Sequence, residues 1–146
     1  MKIEIKIDPL CEEDKIILIT KSVSEEINEI VEKLSQSTPR IISGFRGGKT
    51  EILEQENLIR IYSGSGKVFG VTSNGEYTLR LRLYQLEGIL NPSLFVRISN
   101  SEIINLKKAE SFDLSLSGTI RVAMSNGDHT YVSRRYVSKI KQLLGV

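Results

Sequence analysis

Cysteine, histidine and tryptophan are nearly absent from this chain of 146 residues. It has one cysteine (Cys11), one histidine (His129) and no tryptophan. A single thiol cannot build a disulfide framework within the chain, and one thiol with one imidazole cannot build a zinc site. We therefore expect no metal, no cofactor, and a reducing, cytoplasmic environment.

Long hydrophobic runs are missing too. The longest comprises four residues, IILI at 16–19, whereas a membrane span needs about 20 apolar residues. The N-terminus, MKIEIKIDP, alternates charge with isoleucine, which predicts a strand and not a signal peptide. With 40% hydrophobic and 26% charged residues, the composition is typical of a soluble globular protein.

Patterns that would support catalysis are also lacking. SGFRGGKT (43–50) comes close to a phosphate-binding loop, but serine stands at position 43, where that motif needs glycine. We interpret it as a glycine turn between strands. Asp128 and His129 are adjacent in a predicted strand, so their side chains point to opposite faces and cannot pair as base and orienting carboxylate. We expect no enzymatic activity.

A β-β-α pattern covers the first 40 residues. Isoleucine alternates with charge over residues 3–7, and residues 16–20 form a second apolar run, so both segments are predicted strands. A capping box predicts a helix that opens at Ser22, and the polar stretch 35–40 is predicted to end it. We interpret residues 1–40 as an extension that packs on the main domain or pairs two copies.

Residues 41–146 carry strand patterns almost throughout. Short apolar runs are separated by glycine-rich turns and by two Asn-Gly hairpin signals, at 74–75 and 126–127. Apolar residues also alternate over 112–116 and 120–124, as in strands with one buried face.

Two helical segments interrupt this β pattern. Leucines at 83, 86 and 90 have helical spacing before Asn91-Pro92, and Ser133 precedes a C-terminal helix. The predicted buried side of that helix consists of Tyr136, Val137, Ile140, Leu143 and Leu144. We predict a mostly β (α+β) fold: an antiparallel multi-stranded domain over 41–146, with a short internal helix and a C-terminal helix.

Charge is distributed unevenly. Residues 1–56 carry eight Lys and Arg against twelve Asp and Glu, a net of −4, whereas residues 57–146 carry twelve against six, a net of +6. A basic C-terminal region suggests a polyanion partner for that region alone. Uneven surface charge without a partner is the alternative.

Three polar segments hold hydrogen-bond donors at the edges of apolar runs. Two arginines follow Ser133 at a helix start, where the helix dipole disfavours each cation by about 0.3–1 kcal/mol and favours anions. A phosphate or a guanine edge would explain them, and pairing with a nearby carboxylate is the alternative. Lys67 follows SGSG (63–66), predicted as a flexible loop. The candidate DNA-binding residues are Lys67, Arg97, Ser99, Asn100, Ser101, Ser133, Arg134 and Arg135.

Two other functions fit these residues less well. In a β-rich protein-interaction or sensory module that binds an acidic partner, Arg134 and Arg135 would be paired with carboxylates in the free chain. RNA binding has weaker support, because few aromatic side chains are candidates for base stacking. These are Tyr62, Phe69, Tyr77 and Tyr84.

FVRISNSEIIN (95–105), followed by a two-strand meander and VSRRYVSKIK (132–141), resembles the LytTR family of bacterial DNA-binding domains. The resemblance runs from about Ile41 to Leu144. It implies a mostly β fold in which loops, and not a helix-turn-helix, enter successive major grooves of double-stranded DNA.

The resemblance also implies which residues make contact. These are Lys67, then Asn100 with Ser99, then Arg135 with Arg134, and Arg135 is expected to read a base. Family members often carry histidine or arginine where Gly66 stands here, so Lys67 is expected to hold a phosphate.

The whole chain resembles the small stand-alone LytTR regulators. That likeness implies a sequence-specific transcriptional regulator that works as a homodimer on two half-sites. In some relatives the input comes from a neighbouring membrane protein, and by resemblance alone we expect such a partner here.

Overall fold

The computed structural model of the chain describes residues 1–35 and 41–146. The chain divides into two compact units, Met1–Pro39 and Arg40–Val146. The polar stretch that was predicted to end the first helix lies, beyond Ser35, outside the described residues. The predicted boundary at residue 40 lies outside them as well.

In the first unit, residues 1–35 form one helix and no strand. Helix α1 (Glu25–Ser35) begins after Ser24, whose hydroxyl accepts a hydrogen bond of 3.3 Å from the backbone N–H of Ile27. The predicted start at Ser22 was therefore too early. The helix begins where Glu25 and Glu26 fall in its first turn, because the helix dipole favours carboxylates there.

The two strands predicted for this unit, at 3–7 and 16–20, do not form in the structure. Ile3, Ile5 and Ile7 are each more than four-fifths exposed, so their alternation has no apolar face to pack against. Two strands alone are at best marginally stable in water. Alternation of apolar and charged residues alone therefore does not produce a strand here.

The second unit is built on a seven-stranded sheet in which every neighbouring pair is antiparallel. In chain order the strands are β1 (Ile42–Arg46), β2 (Lys49–Leu53), β3 (Leu58–Gly64), β4 (Lys67–Thr72), β5 (Gly75–Leu79), β6 (Phe95–Ser99) and β7 (Glu102–Asn105). The spatial order is β2-β1-β5-β4-β3-β7-β6. The hairpin predicted at Asn74-Gly75 forms between β4 and β5, but its turn residues are Ser73 and Asn74, and Gly75 already begins β5.

A second sheet and two helices complete this unit. The three-stranded sheet has the order β10-β9-β8 and is antiparallel. Its strands are β8 (Ala109–Asp113), β9 (Ile120–Met124) and β10 (His129–Val132). Helix α2 (Leu83–Ile89) follows β5, and helix α3 (Arg134–Leu144) follows β10. The predicted mostly antiparallel β architecture with a short internal helix and a C-terminal helix is thus confirmed.

Strand β8 ends earlier than the alternation over 112–116 predicts. The Asp113 carboxylate accepts hydrogen bonds from the backbone N–H and the hydroxyl of Ser115, at 2.9 and 2.6 Å. A local bond of this kind turns the chain out of the strand. Leu114 and Leu116 consequently lie 39% and 40% exposed instead of continuing the buried face.

The core consists of two hydrophobic clusters on opposite faces of the seven-stranded sheet. Since side chains alternate across a strand, Phe95 and Ile103 belong to one cluster, while Val96 and Ile104 belong to the other. The first cluster includes the leucines of α2, and the second includes buried apolar residues of β9, β10 and α3. Strand β7 is buried at all four of its positions. The loops that leave β6 and β7 therefore start from strands held on both faces.

Helix α3 packs on the sheet through its first two turns. Ile140 is buried, and Tyr136 and Val137 pack against the same cluster. The prediction that Leu143 and Leu144 are buried was wrong. They lie 54% and 37% exposed in the last turn, beyond the part of the helix that the cluster covers. None of the helices in the described residues is long and apolar enough to cross a membrane.

Candidate nucleic-acid interface

Three segments meet at one end of the seven-stranded sheet. They are the β3–β4 turn (Ser65–Gly66), the β6–β7 loop (Asn100–Ser101, with Ser99 at the end of β6) and the junction of β10 with α3 at Ser133. The backbone N–H of Ser63 donates to the carbonyl of Ser101 at 2.8 Å, and the N–H of Ser133 donates to the carbonyl of Ile98 at 2.9 Å. These bonds join the three segments into one surface, the loop end of the domain. Every predicted contact residue lies in it or directly beside it.

Lys67 begins β4 directly after a tight turn. Ser65 and Gly66 both have left-handed backbone angles, with φ of 51° and 75°. Two such residues form the hairpin turn whose twist matches that of the flanking strands. The segment predicted as a flexible loop, 63–66, is therefore the end of β3 plus a two-residue turn. It holds the Lys67 side chain in solvent at the loop end.

The β6–β7 loop is closed by its own serines. The backbone N–H of Ser101 donates to the Ser99 hydroxyl oxygen at 3.2 Å, and the two hydroxyl oxygens are 3.3 Å apart. Asn100 lies exposed at the tip between them. The loop therefore presents Asn100 outward on a short, internally bonded turn.

Arg97, a predicted DNA contact, bonds within the domain. Its guanidinium donates from Nε to the carbonyl of Ser99 at 2.9 Å and from Nη2 to the carbonyl of Asn100. Nη1 forms an ion pair of 2.9 Å with Glu87 of α2. The side chain is only 17% exposed. We conclude that Arg97 holds the β6–β7 loop, because its donors point back into the domain and not toward solvent.

Arg134 and Arg135 lie exposed in the first turn of α3. Neither side chain makes an ion pair or hydrogen bond with any residue in the described part of the chain. The Arg134 guanidinium passes over Gly118, where a Cβ atom would lie 3.0 Å from its Nε. Ser133 takes the N-cap position as predicted, but its hydroxyl makes no capping bond. The helix start thus carries two cations and a hydroxyl available to a ligand.

Tyr136 belongs to this surface, although the sequence reading placed it wholly in the core. Its ring packs against the second hydrophobic cluster, and its hydroxyl donates to Oδ1 of Asn100 at 3.2 Å. Tyrosine side chains commonly bury the ring against apolar residues while the hydroxyl forms a hydrogen bond with a polar group. The sequence signal was its place three residues after Ser133, in the same turn as the arginines.

A partly buried ion network lies beside the β6–β7 loop. It was not predicted from the sequence. Arg60 of β3 bridges Glu102 and Asp128, with N–O distances of 3.1 Å to each carboxylate. The hydroxyl of Thr130 also donates to Glu102. Burial raises the pKa of the Glu102 carboxyl, whereas the Asn126 amide, together with Arg60, lowers the pKa of Asp128. The network fixes the first residue of β7 to the β9–β10 hairpin.

The charge at the loop end is positive. The two carboxylates next to the β6–β7 loop, Glu87 and Glu102, are paired with arginines that lie inside the domain. Lys67, Arg134 and Arg135 remain exposed and without a carboxylate partner among the described residues. Together with the Asn100 amide, these groups can neutralise phosphates and donate to acceptor atoms on base edges.

Comparison with known proteins finds similar sequences. The sequence profile of the LytTr DNA-binding domain matches residues 48–145. An uncharacterized HTH-type transcriptional regulator of Staphylococcus aureus strain MSSA476 is 30% identical over 147 residues, which cover 100% of this chain and 99% of the relative. Its counterpart in strain MRSA252 is 29% identical over the same coverage.

A solved structure shows the same fold. The LytTr DNA-binding domain of a response regulator from Bacillus cereus superposes with a TM-score of 0.69 at 20% sequence identity, covering 73% of this chain and 97% of that domain. The relatives are described as HTH-type, yet in the described residues no helix directly follows another along the chain. A helix-turn-helix is therefore not part of this domain.

Proposed function

Because this chain belongs to the LytTr DNA-binding domain family, we propose that it is a transcriptional regulator that binds double-stranded DNA sequence-specifically through its loop end. The β6–β7 loop and the start of α3 enter the major groove in place of a recognition helix. The β3–β4 turn follows the backbone into the next groove. Phosphate contacts then position the protein, and contacts to base edges supply the sequence preference.

The observation that carries this proposal is the state of Arg134 and Arg135. Both are exposed at a helix start without a carboxylate partner in the described chain. A phosphate or guanine edge would remove the unfavourable interaction with the helix dipole. The alternative function, a module that binds an acidic protein partner, predicts that these arginines are paired with carboxylates in the free chain. Their lack of such partners favours DNA binding over that alternative.

Each segment receives a distinct role. Arg135 reads a base, since an arginine fork matches the two acceptors of guanine in the major groove. Asn100 contacts a second base edge from the loop tip. Lys67 and Arg134 hold phosphates, and the hydroxyls of Ser99, Ser101 and Ser133 lie beside these contacts.

The direct test is a binding titration on DNA from upstream of the protein's own gene, at two salt concentrations. We expect saturable binding that weakens steeply with salt and is much weaker for a duplex of the same composition in scrambled order. Equal affinity for the two duplexes would overturn sequence-specific recognition, and absence of saturation would overturn DNA binding altogether.

The proposal extends to a pair of copies on two spaced half-sites, as two-fold operators require. The apolar residues exposed in the first unit, such as Ile3, Ile5 and Ile7, are candidates for contact between copies. Light scattering on the full-length chain tests this with duplexes carrying one or two half-sites. Two chains on the two-site duplex and one on the other are expected. A single chain on both would contradict pairing.

Regulation by a neighbouring membrane protein is a separate part of the proposal and follows from the family likeness alone. The test is co-purification of the full-length chain with the membrane protein encoded beside it, in mild detergent. If the two proteins do not co-purify while DNA binding is intact, the membrane partner is contradicted and the proposed regulator function is unaffected.

A further inference from the structure

The contact between Tyr136 and Asn100 joins two of the three segments of the loop end. The tyrosine hydroxyl on the first turn of α3 donates to Oδ1 of Asn100 at 3.2 Å, across 36 residues of sequence. The ring of Tyr136 is held by the second hydrophobic cluster. A donor fixed by core packing therefore reaches the tip of the β6–β7 loop.

The backbone of Asn100 is already held by other residues. Its carbonyl accepts from Arg97, and the carbonyl of the next residue, Ser101, accepts from the N–H of Ser63. The remaining freedom at Asn100 is rotation of its side chain. An asparagine amide has nearly the same shape in both orientations, but one presents an acceptor and the other presents two donors.

We propose that Tyr136 is a positioning residue that decides which end of the Asn100 amide faces the DNA. By holding Oδ1, its hydroxyl turns Nδ2 outward, and no partner in the described residues takes up the Nδ2 protons. Asn100 then acts as a hydrogen-bond donor toward an acceptor on a base edge. The major-groove acceptors are N7 of a purine, O6 of guanine and O4 of thymine. This inference rests on the proposed DNA contact of Asn100.

The predicted consequence is a loss of discrimination confined to one base pair. Without the hydroxyl the amide turns freely, so Asn100 presents acceptor or donor with little preference. Removing one neutral hydrogen bond of this kind is expected to reduce discrimination about two- to tenfold. The phosphate contacts from Lys67 and Arg134 do not depend on the amide, so overall affinity changes little.

The experiment is a double-mutant cycle with Tyr136→Phe, Asn100→Ala and the double variant in the full-length chain. Each protein is titrated against the upstream duplex and against versions with single base pairs replaced. Phenylalanine keeps the ring in the cluster, and a thermal melt confirms that folding is preserved. Tyr84→Phe on α2, whose side chain is exposed, is the matched control.

We expect Tyr136→Phe to lower discrimination at the base pair that Asn100→Ala affects, and to have no further effect once Asn100 is alanine. Additive effects, or equal weakening on every duplex, would overturn the positioning role and leave the proposed function intact. If the wild-type chain itself does not discriminate between duplexes, the proposed function fails and this inference fails with it.

Discussion

At the scale of single residues, the clearest feature is a pair of cations in an unfavourable place. Arg134 and Arg135 occupy the first turn of α3, where backbone N–H groups already concentrate positive charge. The free protein gains nothing from this arrangement, because no carboxylate among the described residues offsets it. The arrangement becomes favourable once an anion arrives.

Arg135→Ala is expected to weaken binding to the upstream duplex by about 1–3 kcal/mol and to relax preference at one base pair. The reason is loss of a two-pronged contact that no neighbouring side chain replaces. Fluorescence anisotropy with singly substituted duplexes measures both effects. Lys49→Ala removes the same charge from β2, at the opposite edge of the sheet from β6, and should leave preference unchanged. Equal behaviour of the two variants would contradict a base contact by Arg135.

Arg97→Met is expected to lower the free energy of unfolding by about 1–3 kcal/mol. Methionine keeps the apolar stem but removes the guanidinium, so the carbonyls of Ser99 and Asn100 lose their donor. Glu87→Gln should cost less than 1 kcal/mol, since its carboxylate is partly exposed and surface pairs contribute little. Urea unfolding of the full-length variants measures both free energies of unfolding. A cost for Arg97→Met no greater than that for Glu87→Gln would show that the loop does not depend on Arg97.

The residue scale also marks a limit of sequence reading. The resemblance was enough to locate Asn100, Arg135 and Lys67 as candidates, and the structure brings them to one surface. The role of Arg97 could not be read from its neighbours in sequence. It depends on a register shift between Arg97 and Ser99 in the β6–β7 pair and on the position of α2. Both are set by tertiary packing.

At the scale of elements, sequence motifs correctly predicted some of the turns and helix starts that depend on neighbouring residues. A hairpin between β4 and β5, the short helix α2 and the start of α3 after Ser133 all formed as expected, although the hairpin turn lies one residue earlier than the Asn-Gly pair. The two N-terminal strands did not form, because alternation needs a covering layer that those residues do not have. Strand β8 ends at Asp113, because the Asp113 carboxylate accepts a hydrogen bond from the backbone N–H of Ser115.

Ile140→Ala is expected to destabilise the protein by about 2–5 kcal/mol, since it opens a cavity where α3 meets the second cluster. Leu143→Ala, one turn further along the same helix and 54% exposed, should cost less than about 1 kcal/mol. Urea unfolding of both variants gives the comparison. Similar losses for the two would mean that the last turn of α3 is packed in solution.

At the scale of the whole molecule, the arrangement of the sheet lies beyond local patterns. Strands β3 and β7 are neighbours in the sheet, although β4, β5, α2 and β6 separate them in sequence. That pairing brings the β3–β4 turn beside the β6–β7 loop. Charge asymmetry predicted a polyanion partner for the C-terminal part of the chain, but only the topology shows that the cations meet at one end.

The total number of phosphate contacts is a property of the whole surface. Four to six contacts per bound protein would make log K fall with log salt at a slope of roughly −4 to −5. Lys67→Ala should weaken binding to all duplexes alike and make this slope shallower by about one. Titrations at several salt concentrations measure it, with Lys49→Ala as the variant of equal charge. A Lys67→Ala slope equal to wild type would place Lys67 away from the DNA backbone.

Strand β7 is buried along its whole length, and this has a consequence for how operator preference can change. The residues proposed to contact DNA lie outside that strand, at the start of β4, in a short loop and in the first turn of α3. Exchanging them leaves both hydrophobic clusters untouched. The domain is therefore suited to retargeting: a library that varies Lys67, Asn100 and Arg135 together should yield folded regulators for new operators at little cost in stability.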